Sequence, residues 1–212
     1  MKNTIISALM VLILVSGANA SQKSGCELAQ VGALEVSWIG YKTPKKAAVG
    51  GVFESVIYTP VAKSGENFRS ILVGSSVLID TSSVNSKHEE RDGKLAKFFF
   101  GMMSDKNIKA KIVDIKADKR VKNAPRTGKV DVEIEMNGVK KVVPMKYSFS
   151  DNIFEAKGSI DILDFSAGDA LSSINKACFD LHEGKTWSEA GIAFKTKIEA
   201  ILCSVEPLKE SK

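Results

Sequence analysis

Period-two alternation of apolar and polar residues, repeated many times, is what most limits the folds open to this chain. Val130, Val132, Ile134 and Met136 alternate with Asp131, Glu133 and Glu135, and Val143, Met145, Tyr147 and Phe149 alternate around Lys146. Phe154, Ala156, Gly158, Ile160 and Ile162 alternate with Glu155, Lys157, Ser159 and Asp161. Ile192, Phe194, Thr196, Ile198 and Ala200 do the same with Lys195, Lys197 and Glu199. Successive side chains of a strand point to opposite faces, so each run predicts a strand with one apolar and one wetted face. Asn137-Gly138 separates the first two runs. It is the strongest short hairpin signal, because both central residues of a type I′ turn need positive φ.

Earlier stretches agree less cleanly. Leu34, Val36 and Trp38 read as a first strand, followed by Val52 to Thr59, Ile71 to Ile79, and Ile108, Ala110 and Ile112 against Lys109 and Lys111. That makes about eight strands joined mostly by short turns, an all-β chain that suits an eight-stranded antiparallel barrel able to hold side chains or one small ligand. Two interruptions predict short helices. Ser86 to Phe100 carries charges and then three phenylalanines, and reads as a helix or lid. Ser166 to Leu181 has Ala170, Leu171, Ile174, Ala177 and Cys178 at helical spacing, with Asp169 in its first turn. It predicts an amphipathic helix across one barrel end.

The first twenty residues stand apart. Lys2, an apolar run from Ile5 to Val15 and the small-x-small pattern Ala18-Asn19-Ala20 form a secretory signal, with cleavage expected after Ala20. The run is too short to span a bilayer, and Lys23-Ser24-Gly25 before Cys26 puts a charge where a lipid-anchor signal needs an apolar residue. Residues 21–212 are then expected as one exported domain. A formal net charge of +5, spread over the chain, argues only weakly for nucleic acid, and none is expected as a partner. The lysines from Lys106 to Lys119 read as a solvated strand face. In an exported protein, Cys26, Cys178 and Cys203 suggest one disulfide and one thiol. Cys26–Cys203 would staple a barrel seam, Cys178–Cys203 closes a shorter loop, and Cys26–Cys178 is also open.

Residues that could run a reaction are scarce. The two histidines, His88 and His182, have no third metal ligand at a recognisable spacing. There is no Gly-x-Ser-x-Gly elbow and no phosphate-binding glycine loop. No enzyme, metal or cofactor is expected. The apolar interior is the remaining candidate. Trp38, Phe53, Ile108, Ile112, Ile134, Met136, Met145, Tyr147, Phe149, Phe154, Ile160 and Phe194 are expected to face inward, as plain core or as the lining of an adaptable cavity. Phe98-Phe99-Phe100-Gly101-Met102-Met103 cannot all point inward on either period, so some of it should sit at a barrel mouth or an interface.

The segment Ser83 to Leu95, with Arg91-Asp92, Leu95 and Phe98-Phe99 in order, resembles the most recognisable stretch of the YceI-like family. Asn85 stands for the usual aspartate, Lys87 and His88 replace the turn glycine and asparagine, and the spacer to the phenylalanines is short. Gly128 to Met145 is similar to the family's late hairpin, and Trp38 to Phe53, with Gly50-Gly51-x-Phe53, to its first. The resemblance covers roughly Leu34 to Ile162, and the stretch from Ser166 to Trp187 departs from it.

What the resemblance implies is a lipocalin-like barrel in the bacterial periplasm, often dimeric, that carries a long isoprenoid lipid (a prenyl phosphate or a quinone) and touches the membrane transiently. Trp38, Phe53, Phe98, Phe99, Ile108, Ile112, Met136, Met145, Tyr147, Phe149, Phe154 and Phe194 would then contact the chain. Arg91 would meet the head group or hold its own turn by pairing with Asp92 or Glu89. The alternative is a filled barrel acting as a non-catalytic envelope interaction or stress-associated module, with Phe98 to Met103 as the contact. Cavity volume discriminates the two: several hundred Å³ favours the carrier.

Overall fold

The computed structural model describes residues 26–203; the expected leader, residues 1–20, lies outside them. Eleven strand segments form one curled antiparallel sheet: β1 Cys26–Gln30, β2 Glu35–Lys42, β3 Ala47–Phe53, β4 Val56–Thr59, β5 Ser76–Asp80, β6 Val84–Asn85, β7 Asn107–Ala117, β8 Arg126–Met136, β9 Val139–Ser150, β10 Ile153–Asp161 and β11 Thr186–Cys203. The hydrogen-bonded order is β4-β5-β7-β8-β9-β10-β11-β2-β3-β6, with β1 on β11.

Eight expected strands and eleven observed segments are reconciled by three interruptions. β3 and β4 are one chain run broken at Glu54-Ser55, and β5 and β6 are another broken by a 3-10 turn, Thr81–Ser83. β3 pairs with β6 while β4 pairs with β5, and Glu54 and Ser55 bond across to Ser83 and Asp80. The two halves of one run thus face the two halves of the next, which brings the sheet back on itself. β1 and β2 are likewise successive pieces laid along the 18-residue β11, whose residues Glu189 to Lys197 pair with β10 on the other edge.

The expected strand Ile71 to Ile79 is in part a helix, α1 Phe68–Leu72. Phe68, Ile71 and Leu72 fall at i, i+3, i+4, and a reciprocal cap starts the turn: Asn67 Oδ1 accepts from Ser70 N–H at 3.0 Å and Ser70 Oγ accepts from Asn67 N–H at 3.1 Å. Gly74, at φ +102°, then redirects the chain into β5. The other two expected helices form, α2 Glu89–Phe98 and α3 Gly168–Ala177. With the 3-10 turns Phe100–Met102 and Ile162–Phe165 they cap one barrel end. Asn137 fastens this cap to the β8–β9 hairpin: its Oδ1 accepts from Ser104 N–H at 2.8 Å, and its Nδ2 donates to the carbonyls of Phe165 and Ser166 at 3.1 and 3.0 Å. α1 plugs the opposite part of the interior.

Candidate functional site

Alternation decides what faces inward, and glycine in the wall decides how close a large side chain can lie. A Cβ on Gly51 would come within 2.7 Å of the Trp38 indole and 2.5 Å of the Asn85 carbonyl, so only glycine lets that ring lie flat against the sheet. A Cβ on Gly158 would likewise meet Met145 at 2.8 Å.

The interior divides in two. Around α1 it is filled. Phe68 meets Tyr147, Phe149 and Phe154 edge-on at centroid distances of 6.0, 4.9 and 5.2 Å, and Tyr147 stacks on Phe154 at 4.8 Å. Beyond this plug lies a cavity of about 110 Å³. Its wall is set by Val36 and Trp38 of β2, Phe53 of β3, Tyr58 of β4, Val77 and Ile79 of β5, and the inward residues of β7 to β11. No lysine, arginine, histidine, aspartate or glutamate lines it; its only polar side chains belong to Trp38, Tyr58, Ser37, Ser75 and Ser76. Phe100 closes the cap side, with its ring 5.8 Å from Phe53 and 5.0 Å from Phe99.

Two cavity-lining residues bury a polar atom with no partner, Trp38 Nε1 and Tyr58 Oη. Such a group costs about 1–3 kcal/mol where it is left unsatisfied. Burial pushes the Tyr58 phenol above its ordinary pKa, with Ser75 nearby drawing it partly back. The Ser75 hydroxyl is engaged elsewhere, accepting from Val61 N–H at 3.0 Å and donating to the Ile71 carbonyl at 3.4 Å, so it makes no well-formed bond to the phenol.

Of the residues expected to contact a ligand, Trp38, Phe53, Ile108, Ile112, Met136, Met145 and Phe194 line the cavity, with Ile134 and Ile160 beside them. Tyr147, Phe149 and Phe154 do not, because Phe68 occupies the space they face. Phe98 and Phe99 lie on the helical cap outside the lining. Arg91 is also outside it. Its Nε donates to Ser86 Oγ at 2.7 Å and its Nη2 to the Ser86 carbonyl at 2.9 Å, while Asp92 accepts from the Ser86 N–H at 2.9 Å and from its hydroxyl. Arg91 and Asp92 therefore clamp the turn into α2 by each holding Ser86, and the expected ion pair of Arg91 with Asp92 or Glu89 is not formed among the described residues. Val36, Tyr58, Val77, Ile79 and Ala110 join the lining unforeseen. Register within the expected strands carried the signal, Val36 lying two residues before Trp38 and Ala110 between Ile108 and Ile112.

The remaining polar candidates are structural. His88 caps α2 through Nδ1, which accepts from Arg91 N–H at 3.3 Å. His182 Nδ1 lies 2.7 Å from Thr186 Oγ1, which donates to Asn175 Oδ1 at 2.8 Å. Burial, followed by the charges of Lys42 and Lys94, holds His182 below the usual imidazole range. Among the described residues no group of three or more His, Cys, Asp or Glu could hold a metal. Cys178 is a buried free thiol at the end of α3, so the Cys178–Cys203 pairing is not made.

A lipocalin-like antiparallel barrel with an interior cavity and no lysine, arginine, histidine, aspartate or glutamate in its wall is the class that fold and site define. The model of the YceI-like domain matches residues 35–198, and the chain belongs to that family. Among solved structures, a polyisoprenoid binding domain from Saccharophagus degradans, implicated in plant cell wall breakdown, superposes with a TM-score of 0.55 at 14% identity, over 84% of this chain and 100% of that one. BcnA of Burkholderia cenocepacia follows at 0.52 and 12%, over 79% of this chain and 96% of that one. No curated protein sequence matches the chain.

Proposed function

We propose that this chain is an exported, non-catalytic binding protein that carries an isoprenoid lipid in its barrel. The observation that carries the reading is the cavity wall, largely apolar and free of lysine, arginine, histidine, aspartate and glutamate. Family membership and the polyisoprenoid-binding description of the Saccharophagus degradans domain support it. Each methylene moved from water into such a wall gains about 0.8 kcal/mol, which selects for long hydrocarbon and needs no catalytic group.

At about 110 Å³ the cavity falls short of the several hundred Å³ expected of a carrier, and of pockets that enclose a whole drug-sized ligand, about 300–1,000 Å³, so volume alone favours the filled barrel. It seats part of a prenyl chain as it stands. A longer stretch of chain would need the unbranched, adaptable Met136 and Met145 to re-pack. With no cation in the lining, a phosphate head would be left unpaired inside. A neutral head that accepts hydrogen bonds, such as a quinone carbonyl, instead meets Trp38 Nε1 and Tyr58 Oη. Residence in the periplasm belongs to this reading through the leader at residues 1–20, and dimerisation through the family resemblance.

The filled aromatic half of the barrel favours a second reading, an envelope interaction module with no cargo. Native mass spectrometry with organic extraction of the protein purified from its own host separates the two. A co-purifying isoprenoid in fixed ratio to the chain is the expected result. A cargo-free mass together with no uptake of added prenyl lipid would leave only the second reading.

A further inference from the structure

Strand register assembles a surface that no linear stretch of the sequence displays. Lys116 of β7 lies opposite Lys129 of β8, Lys129 opposite Lys146 of β9, and Lys146 opposite Lys157 of β10. The result is a row of four exposed lysines across four adjacent strands. Like charges directly opposite one another destabilise a sheet. Only the ends of the row are neutralised, Lys116 by Asp114 at 3.5 Å and Lys157 by Glu155 at 2.9 Å; Lys129 and Lys146 have no carboxylate partner among the described residues. Lysines on a sheet edge guard against unwanted pairing, but β8 and β9 are interior strands and need no such guard. Elsewhere on the outer face the same strands carry balanced rows: Lys109 pairs with Glu135 at 3.0 Å and Lys140 with Glu135 at 3.3 Å.

The β7–β8 loop extends the unbalanced row. Lys119, Arg120 and Lys122 are exposed on it, and Arg126 stands at the start of β8 with its guanidinium 5.8 Å from the Phe68 ring. The face is thus continuous with the barrel end that α1 plugs. Its carboxylates are Asp114, already held by Arg69; Asp118, bonded by the Thr127 hydroxyl at 2.8 Å; Asp131; and Glu155. With Arg69 counted, nine cations therefore confront these four acids. Val121, between Arg120 and Lys122, is 65% exposed at the loop tip.

We propose that this face docks the protein on a bilayer rich in anionic phospholipid, bringing the α1 end of the barrel to the head groups. Charge complementarity is the driving term, each basic residue at such a surface raising partitioning by about fivefold. The choice of a bilayer among anionic partners rests on the lipid-binding reading above. A single-stranded nucleic acid is disfavoured, since the loop and the lysine row present no aromatic side chain on which bases could stack.

Co-sedimentation of the purified protein with phosphatidylcholine vesicles, with and without phosphatidylglycerol, tests this. Binding is expected only where phosphatidylglycerol is present, and it should fall steeply with salt. K129E/K146E and the loop variant K119E/K122E, which touches no core residue, should each weaken it by about tenfold or more. K45E/K176E changes net charge equally on the far side and should bind as the parent does. No phosphatidylglycerol-dependent binding, or equal loss in all three variants, would overturn the proposal, as would retention of duplex DNA in place of vesicles. Native mass spectra of the same variants keep the two readings apart. Cargo present in variants that no longer sediment supports docking as a separate step, whereas vesicle binding by a protein that never holds cargo counts against the lipid-binding reading alone.

Discussion

At Trp38 the indole lies against the wall because Gly51 has no side chain, and its Nε1 is left buried without a partner. Packing and recognition can be separated at this position. W38F keeps most of the ring volume and removes the orphaned donor, so the unliganded protein should change in stability by less than about 1.5 kcal/mol. Affinity for a prenyl lipid with a carbonyl head should fall about tenfold, while a purely hydrocarbon chain binds as before. Calorimetric titration with both lipids checks this, and equal losses would make Trp38 a packing residue only. Tyr58 and Tyr147 add a pH dependence. Burial raises both phenols above their ordinary pKa, with the charge of Asp118 adding to the effect at Tyr147 and Arg126 opposing it. The folded state thus favours the protonated phenols. Their contribution is fully present below about pH 10, the unfolded value, and is lost as pH rises through the raised folded values. Y58F and Y147F should each shift the onset of alkaline unfolding upward, read by urea denaturation across a pH series.

Among the elements, α1 does more than its five residues suggest. Phe68 is its anchor, set edge-on to Tyr147, Phe149 and Phe154. F68A should cost about 3–5 kcal/mol in denaturant unfolding, and it should also enlarge the cavity toward α1, so that an apolar dye or short prenyl alcohol binds more tightly. A loss of stability with no gain in uptake would mean that the walls collapse into the gap. This helix also marks where sequence reading fails. Strands β8 to β11 were legible because alternation is a local property, and Asn137-Gly138 marked their first hairpin. α2 and α3 were legible from their spacing and charge. α1 was not, because Phe68, Ile71 and Leu72 run into the apolar start of β5 and the cap that makes them helical is a side-chain exchange between Asn67 and Ser70. The site was half legible for a related reason. Inward direction follows from period two, but whether an inward residue meets empty space or another ring depends on α1, which is why Tyr147, Phe149 and Phe154 are plug and Met145 is lining.

Across the whole molecule the seam between the first and last strands is held unevenly. β1 is held by β11 on one side and on the other by a single bridge, in which Leu28 and Gly65 exchange hydrogen bonds of 2.8 and 2.9 Å. The register of that join sets Cys26 opposite Cys203. Opposed residues in an antiparallel ladder have Cα atoms about 4.5–5.5 Å apart, inside the roughly 4.4–6.8 Å that a disulfide spans. The sequence left three pairings open, and the fold distinguishes them: Cys178 is a buried free thiol at the end of α3, while backbone register sets the other two positions opposite one another. A Cys26–Cys203 bond would close nearly all of the described chain into one loop, so its effect should lie at the upper end for a single cross-link, about 4–5 kcal/mol. Mass spectrometry of the oxidised protein after alkylation should find one modified thiol, Cys178, and that only once the protein is denatured. Reductant should lower the denaturation midpoint of the parent and leave C26S/C203S unmoved. Three alkylatable thiols in protein taken from an oxidising compartment would mean that the ladder alone keeps the seam shut. In that case β1 should be the first strand to exchange its amide protons, well ahead of β8 and β9, which are paired on both edges.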